Sequence, residues 1–392
     1  MQNKDNIDVA VVLIGNEGYG IRRFLIDQYN AAKDHNISFH YICLHRGELY
    51  EKLSNLGADI KIIGGKIPKP YPPNLLKVFS VFLSSLVSNC KSFKKICNYI
   101  NSTKPSLVYT HDPTLNSVGG LAARRCGIKS IRHFHGQLNI KRNWGLSRIL
   151  LSCWLNLCTD MGLAISQTVR DSLWGSLKKK TYCVYNGLDI PEVKQQGEQL
   201  AGVNNCEAAD IVCVGRLVNI KKQHILIESL GILAKQGLSY SLIFVGGPAE
   251  DTNPYYHKLK KKAETLGISD NIKFVGQVQN PFGIITKSRV SVLCCDREGF
   301  GYVIPESMAC GTPVIVVDAA GPSELVEHDK TGLKFKPDNA TELAECLRIL
   351  LSDEAKAKEL SREAYSQISQ NLSMKTHLRQ IKEKFCEVLD KS

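Results

Sequence analysis

The sequence predicts an α/β protein built from two doubly wound, Rossmann-like domains. A chain of 392 residues is more than one hydrophobic core usually organises. Short apolar runs alternate with helical patterns along its whole length, which favours parallel sheets covered by helices. A polar stretch rich in Gln, Gly and Glu, 191–205, interrupts the alternation, which then starts again. We therefore expect one domain at 1–190, a linker at 191–205 and a second domain at 206–370.

Six apolar runs in the first half have the length and composition of strands. They are Val9–Ile14, Phe39–Leu44, Ile60–Ile63, Leu107–Thr110, Ser130–Phe134 and Met161–Ile165. A glycine loop, Gly15–Gly20, follows the first strand and precedes a helical pattern at Ile21–Lys33. The loop lacks the Gly-x-Gly-x-x-Gly order of dinucleotide sites, so we interpret it as a turn in which Gly18 lets the backbone approach a ligand.

The second half repeats the pattern and ends on a helix. The predicted strands are Asp210–Gly215, Ser241–Val245, Ile272–Phe274, Arg289–Cys295 and Val314–Asp318, and the predicted helices are Gln223–Gln236, Tyr255–Leu266 and an amphipathic Leu378–Leu389. No repeat of solenoid length is present.

A glycine-containing loop with two glutamates, Glu298 and Glu306, is the most informative stretch for function. It lies between the predicted strands Arg289–Cys295 and Val314–Asp318, where a strand ends and a helix begins. Open α/β sheets bind ligands at that edge, because free backbone N–H groups and the positive end of a helix converge there. Carboxylates accept hydrogen bonds from sugar hydroxyls but repel phosphate. The pattern predicts a sugar on one side of a diphosphate and a ribose on the other.

This stretch, with Pro305-Glu306-Ser-Met-Ala-Cys-Gly-Thr-Pro313 after Glu298, resembles the nucleotide-sugar site of retaining glycosyltransferases of the GT-B fold. The match is closest to the large family 4 group. The resemblance implies that Glu298 contacts the donor sugar and Glu306 the nucleotide ribose. The loop residues between them, Gly299, Phe300 and Gly301, belong to the same nucleotide-sugar site.

The family resemblance also implies the architecture. It is that of two Rossmann-like domains facing across a cleft, with the acceptor side first and the donor side second. In the family a terminal helix crosses back onto the first domain, which here is residues 371–392.

Two cations follow the first strand of the second half. Gly215-Arg216-Leu217 and Lys221 resemble a family pattern in which glycine is usual where Lys222 stands. On adjacent strand ends, Arg216 and Lys221 would clamp a diphosphate, one as a planar fork and one as a point charge. Such a clamp neutralises charge on the leaving group without a divalent ion. No Asp-x-Asp turn occurs, so we expect no metal site and no cofactor other than the donor.

His135, in His133-Phe-His135-Gly136, stands where family 4 members place a histidine that faces the donor sugar. Such a histidine donates to a sugar hydroxyl or stabilises the reacting oxygens. A purely structural histidine is the alternative, and His111, at an earlier strand end, is more ambiguous than His135. Ser166 and the Asn186–Gly187 turn resemble further family landmarks. The glycines Gly247 and Gly276 would let the backbone approach the nucleotide.

Charge is unevenly distributed along the chain. The net charge is +12, and the excess of Lys and Arg lies in residues 1–200. It is interpreted either as a solvated face or as a surface for anionic lipid or a pyrophosphate-bearing acceptor. The lysines Lys91, Lys94 and Lys95 follow an apolar run, Val78–Val87. No motif for nucleic acid is present.

The chain is expected to be cytoplasmic. Its 14 cysteines are scattered and favour a reducing compartment. The polar start, Met1–Asp8, does not resemble a signal peptide, and the apolar stretches are too short to span a bilayer. Docking on the cytoplasmic face of a membrane through residues 1–200 is compatible with both observations.

The sequence therefore predicts a retaining glycosyltransferase that moves a sugar from a nucleoside diphosphate sugar to a glycan or lipid-linked acceptor. Surface polysaccharide or lipid-linked oligosaccharide assembly is the context that the resemblance implies. Two alternatives stay open at this point. One is a nucleotide-sugar 2-epimerase of similar fold, and the other is a non-enzymatic protein that binds sugar nucleotides or membranes.

Overall fold

The structure, a computed structural model, describes residues 6–64, 91–111, 115–138, 146–203, 206–248 and 252–390. Within these ranges, no side chain is described for residues 115–117 and 146–147. The chain forms two compact units. Unit 1 comprises residues 1–187 and 374–392, and unit 2 comprises residues 188–373. The apolar run Val78–Val87 lies outside the described residues.

Unit 1 contains a seven-stranded sheet in which all neighbouring strands are parallel. The strands are β1 (Ile7–Leu13), β2 (Ile37–Cys43), β3 (Ile60–Ile62), β4 (Leu107–Thr110), β5 (Lys129–Phe134), β6 (Met161–Ala164) and β7 (Thr181–Cys183), in the order β3-β2-β1-β4-β5-β6-β7. Its helices are α1 (Tyr19–Ala32), α2 (Glu48–Asn55), α3 (91–103), α4 (Leu115–Arg125), α5 (Leu146–Leu157), α6 (Gln167–Asp171), α7 (Gly175–Lys179) and the terminal α16 (Met374–Asp390).

Helices cover both faces of this sheet. On one face, Val12 and Val108 pack in an apolar cluster with Ile96 and Tyr99 of α3 and Ala122 of α4. On the other face, α16 packs against α1 and β5. Because both faces are covered, the central strands are continuous apolar runs rather than alternating ones.

Unit 2 contains a six-stranded parallel sheet. The strands are β8 (Ile211–Val214), β9 (Leu242–Val245), β10 (Ile272–Phe274), β11 (Val290–Leu293), β12 (Val314–Val317) and β13 (Leu333–Phe335), in the order β10-β9-β8-β11-β12-β13. Its helices are α8 (Ile190–Ala201), α9 (Gln223–Lys235), α10 (Pro254–Thr265), α11 (Phe282–Lys287), α12 (Val303–Ala309), α13 (Ala320–Leu325), α14 (Ala340–Ser352) and α15 (Glu354–Asn371).

The prediction of two parallel, Rossmann-like sheets is confirmed, and every predicted strand is present within a residue or two at its ends. The edge strands β7 and β13 were missed; each has three residues, the same length as the edge strands β3 and β10, which were predicted. Among the described residues, no helix is both long and apolar enough to cross a bilayer.

Most of the stretch predicted as a linker, 191–205, is helical. Residues Ile190–Ala201 form α8, with Pro191 in the first turn and the Asp189 side chain accepting a hydrogen bond from the Glu192 N–H at 3.1 Å. α8 packs against α11 and α12 within unit 2. Gly197 makes this possible, because a Cβ there would lie 2.6 Å from Thr286 Oγ1. A glycine that weakens the helical pattern in the sequence is the residue that admits the neighbouring helix.

Candidate active site

The strand order of unit 2 reverses between β8 and β11, which are hydrogen-bonded neighbours. The chain runs from β8 to β9 and β10 on one side and from β11 to β12 and β13 on the other. Crevices at such a reversal are where open α/β sheets bind ligands, outside the carboxyl ends of the strands. The loops after β8 and β11 carry Arg216, Lys221 and Glu298, so three of the predicted site residues come together here.

Lys221 and Glu298 form an ion pair between Nζ and Oε2, with side chains 21% and 26% exposed. Lys221 reaches Glu298 from a 3₁₀ turn, Asn219–Lys221, after β8. Arg216 lies in the same loop; it is exposed, and its guanidinium makes no ion pair with any residue that the structure describes. Among the described residues of these two loops, Arg216 thus keeps an unpaired guanidinium, whereas Lys221 and Glu298 hold each other in place.

Lys222 replaces the usual glycine and keeps the backbone conformation that glycine favours. Its φ is 54° and its ψ is 30°, in the left-handed region, at the residue before α9. Its Nζ bonds Asp296 Oδ2 at 2.7 Å and both carboxylate oxygens of Asp338 at 2.7 and 2.8 Å. Burial opposes the charge, but the hydrogen bonds from these two carboxylates raise the pKa of Lys222. Lys222 is therefore committed to two carboxylates rather than free for a ligand.

The loop that contains Glu298, Gly299, Phe300 and Gly301 is held against the start of α13. Gly321 N–H donates to the Glu298 carbonyl at 3.1 Å. A Cβ on Gly321 would lie 2.2 Å from the Gly299 carbonyl oxygen, so only glycine allows this approach. Phe300 is buried and packs edge-on against Tyr302, with ring centroids 5.2 Å apart. The position of Glu298 is thus fixed by backbone contacts as well as by Lys221.

Glu306 lies in the first turn of α12, as predicted, and is only 2% exposed. The glycines after β8 and β9 meet closely: a Cβ on Gly246 would lie 2.2 Å from the Gly215 carbonyl oxygen. Gly246 N–H donates to the Gly276 carbonyl at 2.7 Å, and Leu217 N–H to the Gly247 carbonyl at 3.1 Å. The strand ends that carry Gly247 and Gly276 therefore border the Arg216 loop.

Unit 1 has its own reversal of strand order, between β1 and β4. Gly18 is exposed at the start of α1, with open space where a Cβ would be. The loop before it is fixed by Glu17, which was not among the predicted site residues. The Glu17 carboxylate accepts hydrogen bonds from the Ile14 N–H at 2.6 Å and the Gly15 N–H at 3.1 Å. Gly18 and His135 lie at the same edge of the unit 1 sheet, after β1 and β5.

His135 belongs to a cluster of three histidines at this edge. His111 Nδ1 and His135 Nε2 are 3.0 Å apart and share a hydrogen bond. His133 Nδ1 lies 2.7 Å from the Tyr109 hydroxyl. One ligand atom from each of the three histidines lies within 4.8 Å of the other two. The cluster arises because His111 follows β4 level with His133 in β5, and His135 is two residues further along the same face.

Phe24 of α1 and His377 of α16 cover the cluster. The Phe24 ring packs edge-on against His133 at 5.4 Å, His135 at 5.8 Å and His377 at 5.0 Å between ring centroids. His377 Nδ1–H donates to the Tyr185 carbonyl at 2.8 Å. That bond fixes the tautomer, so His377 Nε2 accepts from the Gln28 amide at 3.3 Å.

The histidines of this region are neutral at pH 7. Burial lowers the pKa of His111 and His133 well below the ordinary value, and the neighbouring histidines lower both further. Burial also lowers the pKa of His135 to about 3 and the pKa of His377 to about 4. A neutral imidazole has one donor and one acceptor nitrogen, so each ring can hydrogen-bond or ligate but cannot act as a resident cation.

Two family models match the chain. The model of glycosyl transferases group 1 matches residues 201–367, and the model of glycosyltransferase family 4 matches residues 20–192. Together they cover most of both units.

Solved structures give the fold class. The crystal structure of Anabaena HepE in complex with UDP-glucose superposes with a TM-score of 0.76 over 97% of this chain and 100% of that one, at 22% identity. The two parallel sheets and this similarity show the GT-B fold. The chain belongs to the group 1, family 4-like glycosyltransferases.

Two sequence relatives are informative. A GDP-mannose-dependent α-(1-6)-phosphatidylinositol monomannoside mannosyltransferase of Mycobacterium tuberculosis is 31% identical over 162 residues, which are 38% of this chain and only 40% of that protein. The capsular polysaccharide biosynthesis glycosyltransferase CapM of Staphylococcus aureus is 24% identical over 335 residues, 80% of this chain and 86% of that protein.

Proposed function

We propose that this glycosyltransferase moves a sugar from a nucleoside diphosphate sugar to a glycan or lipid-linked acceptor, with retention of anomeric configuration. The observation that carries the proposal is the Lys221–Glu298 ion pair at the strand-order reversal of unit 2, with the exposed Arg216 beside it. Cations and a carboxylate in one crevice suit a ligand that is anionic at one end and rich in hydroxyls at the other.

Each residue of the crevice has a distinct part in the proposal. Arg216 and Lys221 bind the diphosphate and neutralise the charge that develops on the leaving group, without a divalent ion. Glu298 accepts hydrogen bonds from the donor sugar, and Glu306 from the ribose. The backbone at Gly247 and Gly276 borders the nucleotide.

The acceptor half of the reaction is assigned to unit 1. His135 contributes a neutral imidazole that donates to a sugar hydroxyl, and the leaving phosphate helps to deprotonate the acceptor in a front-side displacement. The names of relatives support the class of substrates: one uses GDP-mannose and one takes part in capsular polysaccharide biosynthesis. HepE, of similar fold, binds UDP-glucose.

The test is release of nucleoside diphosphate from a panel of nucleotide sugars, with and without a glycan or lipid-linked acceptor. We expect release to require the acceptor, to persist in excess chelator, and to give a product whose anomeric configuration by NMR matches the donor. Acceptor-independent conversion of the donor would indicate an epimerase. Loss of turnover in chelator, restored by a divalent ion, would contradict the metal-free clamp. Binding without any turnover would leave a sugar-nucleotide sensor.

We also propose that unit 1 docks on an anionic membrane. Lys91, Lys94 and Lys95 are all exposed on α3, and the Lys95 ammonium also donates to the Ile63 carbonyl. On α5, Leu150 is 52% and Leu157 is 56% exposed, so this helix presents an apolar stripe to solvent. Arg124 lies at one end of this stripe, because its guanidinium donates to the Leu157 carbonyl at 3.1 Å. An exposed apolar stripe with a cation beside it is a combination that binds a lipid surface. Lys180, the last residue of the basic run Lys178–Lys180, turns inward and donates to the Asn156 carbonyl at 2.8 Å.

Cosedimentation with vesicles tests this docking. Binding to anionic vesicles should be strong at low salt and fade at high salt, because each cation contributes about 1 kcal/mol that is screened over about 10 Å. The double variant Lys91→Glu/Lys94→Glu should weaken binding at least about tenfold without changing nucleotide affinity. Lys358→Glu, an exposed lysine in unit 2, is the matched control. Equal binding to neutral and anionic vesicles, or none to either, would assign the excess charge to ordinary solvated surface.

A further inference from the structure

We propose that His111, His133 and His135 form a binding site for a divalent first-row transition cation, with Zn²⁺ as the ion. Three imidazoles would supply three ligands and leave a fourth position for water or another exchangeable group. The diphosphate clamp of unit 2 stays metal-free in this proposal. The histidine site is a separate feature of unit 1.

The distances are close to those of a zinc site. Tetrahedral zinc with bonds of about 2.0–2.1 Å places its nitrogen ligands about 3.3 Å from one another. His111 Nδ1 and His135 Nε2 are already 3.0 Å apart. One ligand atom of each of the three histidines lies within 4.8 Å of the others. Rotations of the rings about their χ angles would close the remaining gap, and His135 is partly exposed, which provides a path for the ion.

The cluster contains lone pairs that the fold does not use. His111 and His133 are 1% and 0% exposed. The Nε2 atoms of both rings are buried, and neither has a hydrogen-bond partner among the residues that the structure describes. Buried polar atoms are normally paired, and an unpaired one needs an explanation. Coordination of a cation through His133 Nε2 would account for that atom, with His111 coordinating through Nδ1, which already lies 3.0 Å from His135 Nε2.

The surroundings orient the rings as ligands. His133 Nδ1 bonds the Tyr109 hydroxyl at 2.7 Å, and a hydrogen bond to the nitrogen away from the metal is the usual support of a histidine ligand. Phe24 packs edge-on against His133 and His135. A group made only of imidazoles selects zinc, copper, nickel or cobalt over magnesium and calcium, which prefer oxygen.

The site would regulate turnover, and this step rests on the proposed role of His135. A cation on His135 withdraws the ring from the donor sugar, so Zn²⁺ should inhibit the enzyme while chelator should not. Metal binding itself does not depend on that role, and it can be measured without substrate.

The experiment is titration of Co²⁺, followed by Zn²⁺ competition, into the chelator-stripped full-length protein. Four-coordinate Co²⁺ with nitrogen ligands gives an intense visible band without the near-ultraviolet charge-transfer band of a thiolate ligand. We expect one ion per chain. His135→Ala and His133→Gln should each raise the Kd by more than about 100-fold, beyond the loss expected for an orienting partner. Tyr109→Phe should raise it by about 10-fold to 100-fold.

His224→Ala, a partly exposed histidine of unit 2, is the matched control and should bind Co²⁺ like the wild type. Circular dichroism establishes that each variant is folded. Absence of a one-to-one complex in the wild type, or unchanged Kd in both His135→Ala and His133→Gln, would overturn the proposal. Tight binding at these histidines with no effect of Zn²⁺ on turnover would uphold the metal site and remove His135 from the reaction.

Discussion

Replacing Glu298 with glutamine is expected to lower kcat by about 10²–10³-fold while leaving the affinity for free nucleoside diphosphate unchanged or higher. Glutamine keeps the shape of the side chain but removes the charge that Glu298 offers to the hydroxyls of the donor sugar. It also removes the ion-pair partner of Lys221. The cation released in this way is available to a diphosphate, so the affinity for free nucleoside diphosphate should hold or rise while turnover falls.

Arg216→Ala should give the contrasting result. Arg216 is exposed and has no ion-pair partner among the described residues, so its guanidinium is available for the diphosphate. Its loss should weaken binding of the donor and of free nucleoside diphosphate together. Calorimetry with the free diphosphate, alongside steady-state kinetics, separates the two variants.

Glu345→Gln is the matched control for Glu298→Gln. It makes the same chemical change in a surface ion pair, with Arg348 at 2.5 Å on α14, and should leave both measurements unchanged. A wild-type kcat in Glu298→Gln would remove this residue from the site. A loss of diphosphate affinity as large as that of Arg216→Ala would reassign Glu298 to nucleotide binding.

A strand could be predicted from the sequence where every residue of the segment is buried. Val314–Val317 is buried on both faces of its sheet and is an unbroken apolar run, so its type and position follow from the sequence. Three edge strands have only three residues with a lysine at the centre, and the sequence predicted Ile60–Ile62 and Ile272–Phe274 but not Leu333–Phe335. Local pattern alone therefore does not decide between strand and loop for so short a segment. α8 was missed for a different reason: its packing depends on a close approach at Gly197, a tertiary contact that overrides a poor helical pattern.

The sequence was enough to name residues of the candidate site, but not to say which of them contact one another. Glu298 and Lys221 are 77 positions apart, and only the pairing of β8 with β11 brings them together. Lys222 shows the same limit, because its partners Asp296 and Asp338 come from two other loops. The histidine cluster had a usable signal: histidines at level positions on neighbouring strands share a face. That signal needs the strand order, which one sequence does not supply.

Unit 1 is expected to lose stability steeply as the pH falls from 7 to 5. His111, His133, His135 and His377 all have a pKa in the folded state below the value of about 6.5 that an unfolded histidine has. Above that value neither state binds the proton, and the full stability is present. Below it, the unfolded chain takes up protons that the folded unit excludes, so the free energy of unfolding falls with the pH.

The pH dependence of the free energy of unfolding can be stated for each histidine. Each such group contributes a loss of about 1.4 kcal/mol per pH unit below about 6.5, until the pH reaches its folded pKa. For His377 and His135 that limit is about 4 and about 3. Carboxylates titrate mainly below this range, so the histidines should dominate between pH 7 and 5.

Tryptophan fluorescence can isolate the unit concerned, because Trp144, Trp154 and Trp174 all belong to unit 1. Urea unfolding in the presence of chelator should give a midpoint that drops steadily from pH 7 to 5. His377→Gln should make this dependence shallower, by about 1.4 kcal/mol per pH unit, whatever it does to stability at pH 7. His40→Asn changes a partly exposed histidine of the same unit and serves as the control. Two results would contradict this prediction: a urea midpoint that does not change between pH 7 and 5, or the same pH dependence in wild type and His377→Gln. Either would mean that the folded unit protonates these histidines, and that they are not held in a buried neutral state.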